Sequence, residues 1–281
     1  MNPLMLQIGK DHGLSFKQAS PLAGGDINEV FKVIASEGDF VIKRNAYKSL
    51  PGMFEAESKG LQLLQSTNTF VIPEVLGVGQ IEDYGYLLLA FLPSGKPAQN
   101  FWEKFGTHLA HLHTNSQSHF GLDHDNFIGS LPQYNTAWET ASAFYIHQRL
   151  EPQLKWAHDH GYPFSSLNSF YKNIAKDIPK EASSLVHGDL WNGNYLVTKN
   201  GTPALIDPAV AYAPREMDLA MMQLFGGFPE ATFNTYQEVF PLEPGWKKRV
   251  PLWQLYYLLV HLNLFGKGYY PSVKKIIQQF S

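Results

Sequence analysis

The sequence predicts an α+β protein of two lobes, a small β-rich N-terminal lobe with one main helix and a larger, mostly helical C-terminal lobe. Three observations predict it. Up to about residue 92, short β-type runs enclose a single helical pattern. Pro93-Ser94-Gly95-Lys96-Pro97 then interrupts both periodicities and reads as a linker. Beyond it the pattern is helical except for a β-rich island at about residues 184–207. The length, 281 residues, suits about two units at roughly 150 residues each, taken here as residues 1–93 and 94–281.

In the first lobe, Val30–Val33, Phe40–Lys43 and Tyr86–Ala90 read as strands. Gly24 and Gly25 precede the first of them, where backbone N–H groups could approach a phosphate. The helical pattern spans about residues 52–65, with Phe54, Leu61 and Leu64 on one apolar face. Glu57 falls on that same face, whereas Glu55 should see water. A carboxylate on a helix's inner face needs a cationic partner, and Lys43 at the end of the second strand is the candidate. The third strand runs straight into Pro93, so backbone groups near Ala90 and Leu92 can leave the ladder and could bond an adenine edge.

Composition excludes several classes of chemistry. Without cysteine there is no disulfide, iron–sulfur cluster, thiolate zinc site or cysteine nucleophile. With 44% apolar and 17% charged residues, disorder and coiled coil are excluded too. A net charge of −3 gives no broad basic footprint, so no nucleic-acid partner is expected. The N-terminus lacks the features of a signal peptide. The apolar segment Pro251–Phe265 falls short of the ~18–20 residues that span a bilayer, and it carries Gln254, His261 and Asn263. It reads as a buried helix. The expectation is a cytoplasmic protein with no membrane partner, and a monomer by default.

The most informative stretch is Leu185–Val210. Tyr195–Val197 and Ala204–Ile206 read as strands joined at Asn200-Gly201, a two-residue hairpin signal. That register sets Asn194 opposite Asp207, with Cβ atoms about 4.5–5.5 Å apart. An amide oxygen and a carboxylate so placed suit Mg²⁺, which takes phosphate oxygens at its remaining positions. Asp189 stands five residues before Asn194, the interval of the protein-kinase catalytic loop. Phosphoryl transfer needs such a layout: a carboxylate that orients and deprotonates a hydroxyl, beside a group that holds the metal on the phosphates. The ATP phosphates would pair with Lys43, positioned by Glu57. The 1–93 lobe is then the nucleotide-binding one, and 94–281 the catalytic and substrate-binding one.

These residues resemble the aminoglycoside phosphotransferase and choline-kinase branch of the protein-kinase-like fold. Within it, GGDINEVFKV, FVIKRN, MFEAESKGLQLL, FGLDHDNFIGSLPQYN, HGDLWNGN and DPAVAYAPREMDLAMMQLFGGF resemble the fructosamine/ketosamine-3-kinase family, over about residues 20–265. The resemblance implies a bilobal kinase-like fold and ATP-dependent phosphorylation of the 3-hydroxyl of a ketosamine, small or protein-bound. Its products are unstable 3-phosphates that free the amine, a deglycation activity. It further implies Asp189 as catalytic carboxylate, Asn194 and Asp207 as metal ligands, Lys43 as phosphate clamp, Glu57 as its positioner and Trp191 in the sugar pocket.

Two other readings stay open. A kinase for aminoglycosides would want an acidic terminal lobe, yet residues 210–281 carry five acidic and seven basic side chains. A choline kinase would want an aromatic cage, which Trp191, Trp246, Trp253, Tyr256 and Tyr257 could supply. An inactive binding protein would have lost Lys43, Asp189, Asn194 or Asp207, and none is missing. Asp218 reads as a cap and loop anchor. His108, His111 and His113 share a helix but scatter around it, which argues against zinc.

Overall fold

A computed structural model describes residues 2–22 and 27–281; Gly24 and Gly25, expected near the phosphates, lie outside the described residues. In chain order the elements begin with α1 (Pro3–Asp11), β1 (Phe16–Pro21), β2 (Glu29–Ala35), β3 (Asp39–Ala46), α2 (Met53–Ser66), β4 (Val75–Ile81) and β5 (Tyr84–Ala90). There follow α3 (Phe101–His113), β6 (Asn126–Ile128), β7 (Leu131–Gln133), α4 (Ala141–Phe144), a π-helical turn (Tyr145–Leu150), α5 (Glu151–Asp159) and α6 (Leu167–Asp177). The chain continues with β8 (Ser184–Val186), β9 (Tyr195–Val197), β10 (Pro203–Leu205), β11 (Ala211–Ala213), α7 (Glu216–Leu224), α8 (Glu230–Val239), α9 (Trp246–Phe265) and α10 (Tyr270–Gln279).

The chain divides into two compact units, Met1–Gln99 with Tyr195–Asp207, and Asn100–Asn194 with Pro208–Ser281. The first holds an antiparallel sheet in the order β1-β2-β3-β5-β4. Alternate side chains decide its two faces. Phe40, Ile42, Tyr86 and Leu88 bury one face with Met5 and Ile8 of α1. Lys43, Leu87 and Leu89 therefore point to the other, where α2, with Leu61 and Leu64 buried, packs on β4 and β5. The expected strands fall within β2, β3 and β5.

Sequence periodicity missed α1, β1 and β4. Strand β1 is an edge whose residues are exposed or only half-buried, so apolar alternation has little to mark. In β4, Gly77 and Gly79 interrupt the apolar pattern for a steric reason. A Cβ on Gly77 would collide with the His12 imidazole, which bonds the Tyr86 hydroxyl at 2.9 Å. Helix α1 opens on Asn2, whose side chain accepts from Leu4 N at 3.0 Å, followed by Pro3 at its first position.

The hairpin β9–β10 belongs to the first unit, although the sequence division at Pro93 had assigned it to the second. Gly95 N donates to Val197 O at 3.0 Å, and a Cβ on Gly95 would collide with Thr198 O. Leu205 N donates to Val71 O at 3.0 Å. Backbone pairing of this kind, between segments about a hundred residues apart, leaves no periodic signal. The hairpin register also differs from the expected one. Val197 faces Pro203, Leu196 faces Ala204 and Tyr195 faces Leu205. The turn is longer than a two-residue one: Thr198 N donates to Thr202 O at 2.9 Å, and Gly201, at φ 73°, donates to Thr198 O at 2.8 Å. This is the three-residue type with a left-handed glycine. The register slips by one, so Asn194 is not set opposite Asp207.

The second unit contains the paired short strands β6–β7 and β8–β11 among its helices. Its apolar core centres on α9, apolar on nearly every side, with Trp253, Leu255, Tyr256 and Leu259 fully buried. The helix starts at Trp246 and runs through Pro251, where the sequence reading began it. An interior proline costs about 3 kcal/mol in an isolated helix. Here Arg249 grips Glu216 of α7 at 2.9 and 2.5 Å, and Trp253 Nε1 donates to the same carboxylate at 2.7 Å. Those bonds hold both sides of the proline. Among the described residues no helix is long and apolar enough to cross a membrane.

Candidate active site

In the first unit, β3 points Lys43 toward the face that α2 covers, and its ammonium meets two carboxylates. Nζ lies 2.6 Å from Glu57 Oε1 and also donates to Asp207 Oδ1. Lys43 is only 6% exposed, so its ammonium is desolvated where it meets the two acids. Burial alone would lower the lysine's pKa, but Asp207 and then Glu57 outweigh it and hold the ammonium charged. Burial lifts the Glu57 carboxyl above its ordinary range; Lys43 opposes the lift and Asp207 adds to it. The lysine rises because two carboxylates flank it, the glutamate chiefly because it is buried and also because Asp207 shares its cation. Glu57, and not Glu55, is thus the partner of Lys43, as the helix-face argument expects.

Asp207 adopts φ 54°, the left-handed region that Asp tolerates better than most residues at a cost of about 1–2 kcal/mol. Its side chain keeps 42% exposure while one oxygen engages Lys43. At the end of β5 the structure narrows the expectation for Ala90 and Leu92. Ala90 N donates to Glu74 O at 2.9 Å and Phe91 N to Asp39 O at 3.1 Å. The ladder therefore runs one residue beyond β5, and the Ala90 N–H is committed. Of the groups expected to leave the ladder near Ala90 and Leu92, the Ala90 N–H does not.

In the second unit, the loop after β8 carries His187-Gly188-Asp189. Asn194, 5% exposed, donates from Nδ2 to Asp189 O at 2.8 Å and to Asp189 Oδ2 at 3.1 Å. The five-residue interval read from the sequence therefore closes into a contact. Asp218, fully buried on α7, anchors the loop. Its Oδ2 accepts from His187 N at 2.7 Å and its Oδ1 from Gly188 N at 2.8 Å. The anchoring role expected of Asp218 holds, but the capping role does not, since the residue flanking the start of α7 is Arg215. Gly188 sits at φ 83° with its Cα against Ala209 O, where a Cβ would collide. Ala209 N returns a bond to His187 O at 2.9 Å.

Trp191 is 38% exposed and its ring lies across Gly193, which has no Cβ to obstruct it. The turn Gly226-Gly227 reaches the same loop, and a Cβ on Gly227 would meet Asn192. Phe225, just before that turn, lies 4.9 Å from His261 of α9. His261 Nδ1 bonds Tyr257 O at 2.7 Å, and burial lowers the imidazole's pKa. A neutral ring so bonded carries its proton on Nδ1 and leaves Nε2 as an acceptor. Among the described residues no three or more histidines and acids gather into a group that could hold a metal. His113 is buried between Tyr236 OH at 2.8 Å and Asp218 Oδ2 at 3.1 Å.

A five-stranded antiparallel sheet whose lysine pairs with a helix glutamate, together with an Asp loop tied to an Asn five residues on, defines a kinase of the protein-kinase-like α+β fold. The chain belongs to the fructosamine kinase family, whose model matches residues 4–281. It is 40% identical over 271 residues to the "probable ketoamine kinase" of Lactiplantibacillus plantarum, covering 94% of each chain. It is 34% identical over 278 residues to that of Synechocystis, covering 97% of this chain and 94% of the relative. A solved structure from Thermobifida fusca, provisionally named a fructosamine-3-kinase, matches at TM-score 0.88 and 30% identity, covering 99% and 98% of the two chains. The aminoglycoside phosphotransferase APH(4)-Ia, solved with AMP-PNP and hygromycin B, matches at TM-score 0.65 and 17% identity, a likeness of fold.

Proposed function

We propose that the protein transfers the terminal phosphate of ATP to the 3-hydroxyl of a ketosamine, free or protein-bound. The observation that carries the reading is the Asp189 loop. Its carboxylate is held by Asn194, its backbone by buried Asp218, on a chain matched by the fructosamine kinase model throughout. Asp189 orients the substrate hydroxyl and accepts its proton as the oxygen attacks in line. The new O–P bond forms as the β–γ bridging bond breaks, and ADP leaves. Lys43, charged and positioned by Glu57, binds phosphate oxygens. Ala90 C=O and Leu92 N–H take the adenine edge, and Trp191 lines the sugar pocket.

Asn194 and Asp207 would hold Mg²⁺. The donor chemistry fits: Asn194 carries an amide carbonyl oxygen and Asp207 is a carboxylate with a reachable side chain, both hard oxygen donors. When bound, the ion would neutralise charge developing on the phosphates. The test is an ATP-consumption screen over ribulosamines, erythrulosamines and fructosamines, with choline and aminoglycosides as competitors, and phosphorus NMR to place the product phosphate. Turnover on ketosamines with phosphate on O3 is expected. Turnover confined to choline or an aminoglycoside would overturn the reading.

A further inference from the structure

Arg149, on the π-helical turn before α5, is 1% exposed. Arg44, Arg215 and Arg249 each hold a carboxylate. Arg149 is bonded otherwise: Nη1 donates to Tyr134 O at 2.5 Å and Gln148 O at 3.3 Å, and Nη2 to Asn135 Oδ1 at 2.8 Å. The guanidinium lies 4.5 Å from the Phe144 ring centroid and 5.7 Å from that of Tyr256. Among the described residues its hydrogen bonds go to neutral acceptors, with Asp125 acting on it only as a nearby charge, and such a buried cation is costly to keep. Nothing in the proposed phosphoryl transfer uses it directly.

What it does follows from donor and acceptor counting. Arginine can only donate. Asn135 must therefore turn its oxygen to Arg149, which leaves its Nδ2 to donate to Asn126 Oδ1 at 3.0 Å. With that oxygen also receiving Gln133 Nε2 at 2.8 Å, Asn126 must direct its own Nδ2 elsewhere, and it donates to Val210 O at 2.8 Å. Gln133 Nε2 also donates to Ala209 O at 3.0 Å, while its Oε1 accepts from Tyr256 OH at 2.8 Å. All three amides are at most 5% exposed, so water cannot substitute for a wrong orientation. The directional sense imposed by Arg149 ends on the carbonyls of residues 209 and 210. Ala209 is the residue whose N–H holds His187 O and whose carbonyl borders Gly188.

We propose that Arg149, through Asn135, Asn126 and Gln133, is a positioning residue for the Asp189 loop. Asp218 takes the loop's N–H groups, and the amide relay holds Ala209, which takes the carbonyl of His187. The proposal rests on the kinase reading above. A misplacement of about 1 Å can cost about 10²-fold in rate.

The test compares kcat per folded enzyme, nucleotide affinity, and hydrogen exchange at the Ala209 amide. Gln133→Ala is expected to lower kcat by about 10²-fold, leave ATP affinity unchanged and speed exchange at Ala209. Arg149→Lys, still only a donor, should retain more kcat than Arg149→Gln, which can accept as well as donate. Val273→Ala, a cavity variant on α10, should lose stability without losing kcat. Folded Gln133→Ala with wild-type kcat, a fall in kcat without faster Ala209 exchange, or Arg149→Gln equal to Arg149→Lys would each overturn the proposal. If the Arg149 variants fail to fold, Gln133→Ala and Tyr256→Phe decide it by the same kcat and exchange criteria. If the wild type turns over no ketosamine, the kinase reading fails while the exchange experiment still judges the relay.

Discussion

Replacing Asp218 with asparagine keeps its shape and removes one acceptor. In the native loop, Oδ1 receives Gly188 N, and Oδ2 receives His187 N together with His113 Nε2. If the new NH₂ takes the Oδ1 position it confronts the Gly188 N–H. If it takes the Oδ2 position it can donate to His113 but confronts the His187 N–H. Either orientation leaves one backbone donor unsatisfied in a site with no solvent exposure, a penalty of about 1–3 kcal/mol. The surviving bond also loses its charge assistance. Stability should therefore fall by about 2–4 kcal/mol in total. The loop can relieve the clash only by moving Asp189, and about 1 Å of movement is worth about 10²-fold in rate. Urea unfolding gives the first number and steady-state kinetics at saturating ATP the second. Asp218→Asn with kcat within about twofold of wild type and a stability loss under about 0.5 kcal/mol, within the error of neutral substitutions, would refute the anchoring argument.

Three further outcomes are expected. Asp189→Asn should lower kcat by at least about 10²-fold, the scale of general-base catalysis, while isothermal titration finds ATP affinity nearly intact. Gly188→Ala should lose folded protein on a thermal melt, by roughly 3 kcal/mol or more, because it combines a positive φ with a collision against Ala209 O. His261 should make stability fall as pH drops. Its folded pKa is depressed below the ordinary 6.5, so below pH 6.5 the unfolded chain binds the proton more readily. Urea midpoints should decline from pH 6.5 down through the folded value in the wild type, and the decline should shrink in His261→Gln.

Several features were legible from residue patterns because they are local. The Lys43–Glu57 pair could be read because a strand's period of two and a helix's period of 3.6 each place one side chain, and burial of an unpaired carboxylate is too costly to leave unanswered. The Asp189–Asn194 contact follows from a five-residue interval within one loop. The hairpin was found but misregistered, since Asn200-Gly201 suits a two-residue turn and equally the end of a three-residue one. That choice is made by Gly201 bonding back to Thr198, which sequence alone does not display.

By itself the sequence determined the α+β pattern, the break in texture near Pro93, and the residue types that phosphoryl transfer requires. Tertiary structure alone decided three things. Asp207 joins the same ammonium as Glu57 from 164 positions away. The hairpin carrying it pairs with residues 71 and 94–95 and so belongs to the first unit. Arg149, set in the chain among His147, Gln148 and Glu151, orients three amides toward the backbone beside the Asp189 loop. The physical reason is common to all three. Periodicity reports which side of an element is apolar, whereas buried polar groups are paired by whichever donor or acceptor the chain brings within about 3 Å, regardless of separation along it.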